Sequence, residues 1–334
     1  MFKQRGRSME NSNSAILSKG YGLKLISCTR TRTGLICKTD KGVKELKKVF
    51  CDEKTAIFED AVKRHLKQRG FRGVGLYEMT SDGTPFFNYE DTRYVLEEYI
   101  PCKNADLADK DIMKKTVEAL ADIHNLTEDF VFDGEAKRGT DLTELYMKRK
   151  QELLRIMARI KKGNSKTYCD RIILNKGEEF AARAQDALDV LYDAGYGDKN
   201  KNVICHNCYK GDNIRLSAEE EVLVTGFSKC AFDMGTVDIS EFIRRFYKDT
   251  ACSGNDAGRI IEIYSNKRYL SENDIKMIYA MLLYPSKFLR LCNSYYNKRR
   301  SFTSAAVEEK FLRCCDVAER EKTFLKTLRL VMRI

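Results

Sequence analysis

A change of periodicity at Pro101 constrains the fold of this chain more than any other sequence feature. Before it, residues 21–50 alternate apolar and polar side chains in three short runs, a pattern typical of antiparallel strands. A helical apolar stripe over 53–69 and two further β-rich runs follow. After Pro101 the apolar spacing is helical, except for a pair of hairpin-like runs within 203–228. The order of elements is therefore β-β-β-α-β-β, a connector, and helices interrupted by a hairpin.

That order is typical of a bilobal, protein-kinase-like α+β fold. The sequence predicts a small lobe over 19–100, with five antiparallel strands and one helix, and a mainly helical large lobe over 101–334. Residues 1–18 are predicted to form a disordered tail, because chain ends are poorly ordered unless something ties them down.

Composition narrows the class of protein. With 43% hydrophobic residues the chain can bury a sizeable core, yet no apolar run approaches the length of a membrane span. The N-terminus lacks the apolar centre of a secretory signal, which predicts a cytoplasmic protein. The net charge is +11, but the 60 Lys and Arg are interspersed with 49 acidic residues, so we expect solvated helix faces and no specific nucleic acid.

Twelve cysteines at irregular spacings indicate a reducing compartment and mostly buried free thiols. Cys205 and Cys208 form a C-x-x-C, which alone could be half of a redox or zinc site. A zinc site needs a second pair of ligands, and the chain has no other C-x-x-C and no H-x-x-x-H. No metal site is therefore predicted.

The segment VICHNCYKGDNIRL (203–216) places His206, Cys208 and Asn213 at the spacing of a kinase catalytic loop, H-x-D-x-x-x-x-N. Cys208 stands where that loop has its aspartate. A thiol is neutral at pH 7 and a weak hydrogen-bond acceptor, so it cannot replace a carboxylate beside a reacting hydroxyl. The ends of the loop are retained and its centre is replaced.

A second substitution affects the metal-binding aspartate expected about ten residues later. In EVLVTGFSKCAFDMG, Gly226 occupies that position. Magnesium prefers carboxylates and phosphates, so Asn213 alone is a poor site and Mg²⁺ is not expected. Asp212 and Asp233 are close in sequence and are the candidates to compensate.

The small lobe contains candidates for a phosphate-binding pair. In the third strand, Glu45, Lys47 and Val49 share one face, and Lys47 is the candidate phosphate lysine. Lys48, on the opposite face, is expected to be solvated. The following helix offers Glu59 where a lysine-orienting carboxylate belongs, so we predict an ion pair between Lys47 and Glu59.

The run VLEEYIPC (95–102) is the predicted connector. There the backbone C=O of Glu98 and N–H of Ile100 could bond an adenine edge, which leaves ATP open as a ligand. Glu97 counts against ordinary ATP binding, because a charge at the back of such a pocket is costly to desolvate.

The turn TRTRTG between the first two strands has one glycine, where kinases typically have three. Arg30 or Arg32 could substitute for the missing backbone donors.

Over roughly residues 20–305 the chain resembles the bacterial spore-coat protein S (CotS) family, in the aminoglycoside/choline-kinase-like branch of the protein-kinase-like fold. The resemblance rests on seven motifs in order, of which the last is the most diagnostic: TDKGVKELKKV, HLKQRGF, YVLEEYI, ALADIHNLT, VICHNCYKGDNI, GFSKCAFDMGTVDISEFIRR and LLYPSKFLRLCNSYYNKRRSF.

The resemblance implies roles for particular residues. Lys47 and Glu59 match the phosphate-lysine pair, and His206 and Asn213 match the ends of the catalytic loop. Asp238 matches the aspartate that anchors this loop. His124 matches a histidine that closes the first large-lobe helix, which we interpret as structural.

The family also implies sporulation, location in the mother-cell cytoplasm and spore coat, and other coat proteins as partners. Two hypotheses follow. The first is a pseudokinase with a scaffold role in coat assembly. The second is an active or weak ATP-dependent phosphotransferase on a small hydroxyl or amine substrate, with a nucleotide-sensing binder as a further alternative.

Overall fold

A computed structural model describes the chain except at five places, and gives the backbone alone over 2–11; the described ranges are 2–31, 33–197, 202–250, 252–297 and 305–334. Spatial proximity divides the chain into two compact units. The first unit comprises Met1–Lys137 and Val203–Phe232, and the second comprises Arg138–Asn202 and Asp233–Ile334. The predicted boundary at residue 100 stays a prediction, since this division groups 101–137 and the hairpin with the sheet.

The first unit contains a five-stranded antiparallel sheet in the order β1-β2-β3-β5-β4, as predicted. Its strands are β1 (Leu25–Arg30), β2 (Leu35–Thr39), β3 (Gly42–Val49), β4 (Phe87–Tyr89) and β5 (Thr92–Glu98). Its helices are α1 (Phe2–Tyr21), α2 (Glu53–Gln68) and α3 (Lys110–Leu126).

Helix α1 corrects the prediction of a disordered tail over 1–18. Ile16 and Leu17 are fully buried in a cluster with Leu46 and Leu96 on one face of the sheet. The two apolar residues that tie the helix down follow a polar segment, so the apolar stripe was too short to be recognised in sequence. The sheet thus carries α1 on one face.

Helix α2 contacts the other face through a cluster that includes Ala56, Tyr77 and Val95. The carboxylate of Asp52 caps its first turn by accepting the N–H of Thr55 at 2.8 Å. Gly70 follows the helix with a φ of +93°, which a residue with a Cβ rarely adopts, so the chain leaves the helix there. Asp52 and Gly70 therefore delimit α2.

The hairpin region belongs to the same unit as the sheet. Its strands are β6 (Cys102–Asn104), β7 (Val203–Cys205), β8 (Ile214–Ser217), β9 (Val222–Val224) and β10 (Ala231–Asp233). They pair in the orders β6-β8-β9 and β10-β7. Gly73, just after α2, accepts the Val224 N–H at 2.7 Å, and a Cβ on Gly73 would lie 2.2 Å from the Val222 oxygen. Only glycine allows this close backbone approach.

The second unit is helical around one apolar core. Its helices are α4 (Leu142–Lys162), α5 (Tyr168–Asp193), α6 (Gly235–Thr250), α7 (Gly254–Lys267), α8 (Glu272–Leu283), α9 (Ser286–Asn297) and α10 (Ala305–Met332). Tyr146 stacks on Tyr284 with ring centroids 3.4 Å apart, and Phe180 stacks on Phe288 at 3.9 Å. Over the described ranges, every helix is too short or too polar to cross a membrane.

Candidate functional site

The side chain of Lys47 lies between two carboxylates on the α2 face of the sheet. Its Nζ is 2.5 Å from Oε2 of Glu97 and 3.1 Å from Oε2 of Glu45. Strand pairing explains this geometry, because Glu45 pairs directly with Glu97 and Lys47 with Val95. Residues two apart on β3, and their partners on β5, point to the same side. Lys48 points to the opposite face and is exposed, as predicted.

The second oxygen of Glu97 contacts Nζ of Lys63, which projects from α2. The Lys63 side chain is only 4% exposed, and its ammonium lies 3.6 Å from the ring centroid of Tyr77. The Tyr77 hydroxyl donates a hydrogen bond to the carboxylate of Glu59. Glu97 therefore bridges two lysines, while Glu59 is bound by a phenol. We call Lys47, Glu97 and Lys63 the charge triad.

The predicted Lys47–Glu59 ion pair is wrong. Among the described residues, Lys47 has Glu45 and Glu97 within ion-pair distance, and Glu59 is instead buried beside Tyr77. Glu59 and Lys63 are four residues apart on α2, so both face the sheet. Helix periodicity does not determine which acidic residue pairs with Lys47. The desolvation cost foreseen for Glu97 is offset by its two lysines.

The pKa shifts follow this arrangement. Burial disfavours the charge on Glu97, but Lys63 and Lys47 outweigh it and hold the pKa of this carboxyl below its ordinary value. Burial likewise opposes the charge on Lys47, yet Glu97 and Glu45 raise its pKa. Burial raises the pKa of Glu59 despite the nearby lysines. Glu97 and Lys47 are thus ionised at neutral pH, and Glu59 resists ionisation.

Two backbone donors of the turn between β1 and β2 are bonded within the turn itself. The Thr31 hydroxyl oxygen accepts the N–H groups of Thr33 and Gly34 at 3.3 and 3.0 Å. A Cβ on Gly34 would lie 2.5 Å from the Leu46 oxygen, so this single glycine serves close packing onto β3. Of the two candidate arginines, the structure describes Arg30, and Arg32 lies outside the described residues.

The connector continues β5. The Tyr99 N–H donates to the Val43 oxygen at 3.2 Å, which turns Tyr99 toward β3. Strand alternation then directs the C=O of Glu98 and the N–H of Ile100 away from β3. Their contact with an adenine edge stays a prediction.

His206 has a structural position in the hairpin. It is fully buried, with Nε2 3.0 Å from the Thr225 oxygen and Nδ1 3.2 Å from the Cys208 nitrogen. Because the Cys208 N–H donates to Nδ1, the proton of a neutral ring belongs on Nε2, where it bonds Thr225. The ring of Phe227 packs edge-on against it, with centroids 4.6 Å apart. His206 therefore joins the two sides of the hairpin.

Asn213 and Gly226 are direct neighbours across this hairpin. A Cβ on Gly226 would lie 3.1 Å from Oδ1 of Asn213, so the two positions expected for metal ligands do face each other. Gly226 supplies no ligand atom there, and its φ is +79°. The Asn213 amide Nδ2 donates to the Cys208 carbonyl at 2.9 Å. The Cys208 thiol takes the place of the carboxylate on the same loop.

The two candidate compensating acids have other contacts. Asp212 is 3.2 Å from Nζ of Lys210, and its carboxylate is 54% exposed. Asp233 accepts the Met234 N–H at 2.9 Å and packs within the second unit against Gly139.

His124 and Asp238 are both buried, the former near the end of α3 and the latter in the first turn of α6. The anchoring role expected of Asp238 stays a prediction.

These residues provide only part of the ligand set that kinases offer to a magnesium nucleotide. Asn213 faces a glycine where a carboxylate would hold the metal. Lys47, the expected phosphate ligand, already has two carboxylate partners, and the neighbouring turn directs its Thr33 and Gly34 N–H groups to the Thr31 hydroxyl.

Lys63 and Tyr77 are site residues that sequence reasoning missed. The i, i+4 spacing of Lys63 from Glu59 was the available signal.

Comparison with known proteins agrees with this architecture. A family model described as "Spore coat putative kinase YutH" matches residues 14–328. An aminoglycoside phosphotransferase from Alicyclobacillus acidocaldarius superposes with a TM-score of 0.80 at 17% identity, covering 92% of this chain and 93% of that one. The similarity confirms the kinase-like fold.

More distant structures share the fold. Spectinomycin phosphotransferase APH(9)-Ia, in complex with ADP and spectinomycin, gives a TM-score of 0.64 at 12% identity, covering 97% of this chain and 98% of that one. Choline kinase LicA from Streptococcus pneumoniae gives 0.52 at 11% identity, covering 96% and 100%.

Proposed function

We propose a function from one premise: the chain belongs to the spore coat kinase-like family whose model matches residues 14–328. The chain is a component of the spore coat that uses a kinase-like fold as a scaffold rather than as a catalyst. Its partners are other coat proteins, bound without phosphoryl transfer. The CotS-like resemblance and the family's description support the place in the spore coat.

The proposal rests mainly on one observation: the Asn213 side chain faces Gly226, which has no side chain. Phosphoryl transfer depends on positioning and on neutralising charge with metal ions. Here the two metal-ligand positions are adjacent, but one has no side chain. Cys208 adds a second loss, at the position that faces the acceptor hydroxyl in a kinase. The charge triad supports the same conclusion, since Lys47 is neutralised from within the chain.

The first test measures phosphate release from ATP with Mg²⁺, with and without small hydroxyl and amine acceptors. We expect no turnover above that of Lys47→Ala. The matched comparison is the double variant Cys208→Asp/Gly226→Asp, checked first for folding by a thermal melt; it supplies both carboxylates, and aspartate tolerates a left-handed backbone better than most residues. Wild-type turnover that Lys47→Ala abolishes would overturn the proposal.

A second test addresses the scaffold role in the spore-forming host. Deletion of the gene should change the protein composition of the coat, whereas Asn213→Ala at the native locus should leave it unchanged. If Asn213→Ala reproduces the deletion while its protein accumulates normally, the non-catalytic role is wrong.

The alternative is a weak phosphotransferase, which the retention of Lys47, His206 and Asn213 favours. It predicts slow, Lys47-dependent turnover in the first test.

A further inference from the structure

Cys28 and Cys37 are directly opposite each other on the two strands of the β1–β2 hairpin. Residues opposite each other in an antiparallel pair project from the same face of the sheet. Both side chains pack in the cluster beneath α1, Cys37 fully buried and Cys28 partly buried. Both cysteines are free thiols in the structure.

The hydrogen-bond pattern sets the distance between these cysteines. At the end of the hairpin the Thr31 N–H donates to the Gly34 oxygen at 2.9 Å, which makes Thr31–Gly34 a hydrogen-bonded pair. Such pairs alternate with non-hydrogen-bonded ones, so Cys28–Cys37, three steps further, is non-hydrogen-bonded. In pairs of that type the Cα atoms are about 4.5 Å apart and the side chains are at their closest. Disulfides span Cα separations of about 4.4–6.8 Å.

We propose that Cys28 and Cys37 are a redox-active pair that closes to a cross-strand disulfide when the protein meets a low-molecular-weight disulfide such as oxidised glutathione. The proposal is independent of the proposed function. The other cysteines lack this arrangement among the strand pairings of the described residues.

The reaction proceeds by two thiol–disulfide exchanges. The Cys28 thiol, the more accessible of the two, loses its proton and attacks one sulfur of the small disulfide, which releases one thiolate. The Cys37 thiol then loses its proton and attacks the Cys28 sulfur, which releases the second thiolate. The two protein thiols are oxidised, the small disulfide is reduced to two thiols, and both protons end on those thiols.

The second exchange limits the rate. Burial, together with the neighbouring Cys28, raises the pKa of Cys37 to about 11, so little thiolate is present at neutral pH. Cross-linking should therefore accelerate as the pH rises from neutral. Once formed, the disulfide links the edge strand β1 covalently to β2 and stabilises the hairpin. The turn of this hairpin packs against Lys47 at Gly34.

Peptide mapping tests the proposal on the full chain. The protein is incubated with oxidised glutathione, blocked with N-ethylmaleimide and digested with trypsin without reduction. Cleavage after Lys24, Arg30, Arg32 and Lys38 leaves LISCTR (25–30) and TGLICK (33–38). We expect these two peptides joined, two hydrogen atoms lighter than their sum, and separated again by dithiothreitol.

Exposed Cys102 gives an internal measure of oxidant access. If Cys102 is fully modified while both peptides carry N-ethylmaleimide, or Cys28 stays glutathionylated without cross-linking, the proposal is wrong. Pairing of Cys37 with another cysteine would also overturn it.

A thermal melt adds a second readout: oxidised wild type should melt above reduced wild type, and Cys28→Ser should show no such difference. Equal melting temperatures for the cross-linked and reduced wild type would show that the disulfide does not stabilise the hairpin.

Discussion

The Oε2 atom of Glu97 lies 2.5 Å from Nζ of Lys47, so the strand that leads into the connector neutralises the lysine expected to bind phosphate. The same carboxylate contacts Lys63. One buried acid thus supports two buried cations, and removing it leaves both without their closest counter-charge.

We therefore expect Glu97→Gln to lower the free energy of unfolding by about 3 kcal/mol, the usual cost of breaking a buried ion pair from one side. Urea denaturation measures it. Glu98→Gln is the matched control, since Glu98 is the exposed neighbour on the same strand and should change stability by less than about 0.5 kcal/mol. Equal effects of the two variants would show that the triad contributes nothing.

Glu59→Gln should increase stability at pH 7. Because burial raises the pKa of Glu59, ionising it costs folding free energy, and glutamine keeps an oxygen that accepts the Tyr77 hydroxyl. The gain should be absent below the ordinary glutamate pKa of about 4.3, grow between that value and the raised folded pKa, and stay constant above it. Urea denaturation at a series of pH values measures this. A loss of stability at pH 7 would instead indicate that Glu59 is ionised and stabilised by the neighbouring Lys63.

The stability contributed by Glu97 should have the opposite pH dependence. Its pKa is lowered by folding, so the contribution is present above its ordinary pKa, about 4.3, and is lost as the pH falls through the lower folded value. Lys47 sets the upper limit: its pKa is raised, so its contribution lasts until the pH rises above about 10.4. The stability difference between wild type and Glu97→Gln should be constant between these limits and shrink outside them; a difference that is constant at all pH values contradicts the ion pairing.

Gly226→Ala should destabilise the hairpin by about 1–2 kcal/mol, because a left-handed backbone is strained for alanine. In addition, the alanine Cβ would lie 3.1 Å from Oδ1 of Asn213. Gly211→Ala, in the same loop, is the control: its Cβ would make ordinary contact with Leu107 at 3.7 Å. Thermal unfolding of both variants measures the difference. If Gly211→Ala costs as much, the backbone of Gly226 is not under the constraint described above.

Sequence periodicity predicted the sheet, the faces of its strands and the helix α2, because these depend on local alternation and on recognisable caps. It placed Lys47 correctly on the α2 face for the same reason. It did not predict which acid binds Lys47, since that depends on strand register: Glu97 lies opposite Glu45 only because of how β5 aligns with β3.

The same distinction between residue type and spatial contact applies to the hairpin that carries Cys208, Asn213 and Gly226. The losses at Cys208 and Gly226 were visible as residue types at fixed spacings. That Gly226 faces Asn213 depends on the register of the β8–β9 hairpin, which the two hairpin-like runs alone did not specify.

Helix α1 has a practical consequence for producing the protein. A recombinant chain begun at residue 19, the start of the predicted small lobe, would lack Ile16 and Leu17 and uncover Leu46 and Leu96, two of the most buried residues of the sheet. An exposed apolar sheet face favours self-association, so such a chain should precipitate or be degraded when expressed. A recombinant chain should therefore keep the segment that carries Ile16 and Leu17.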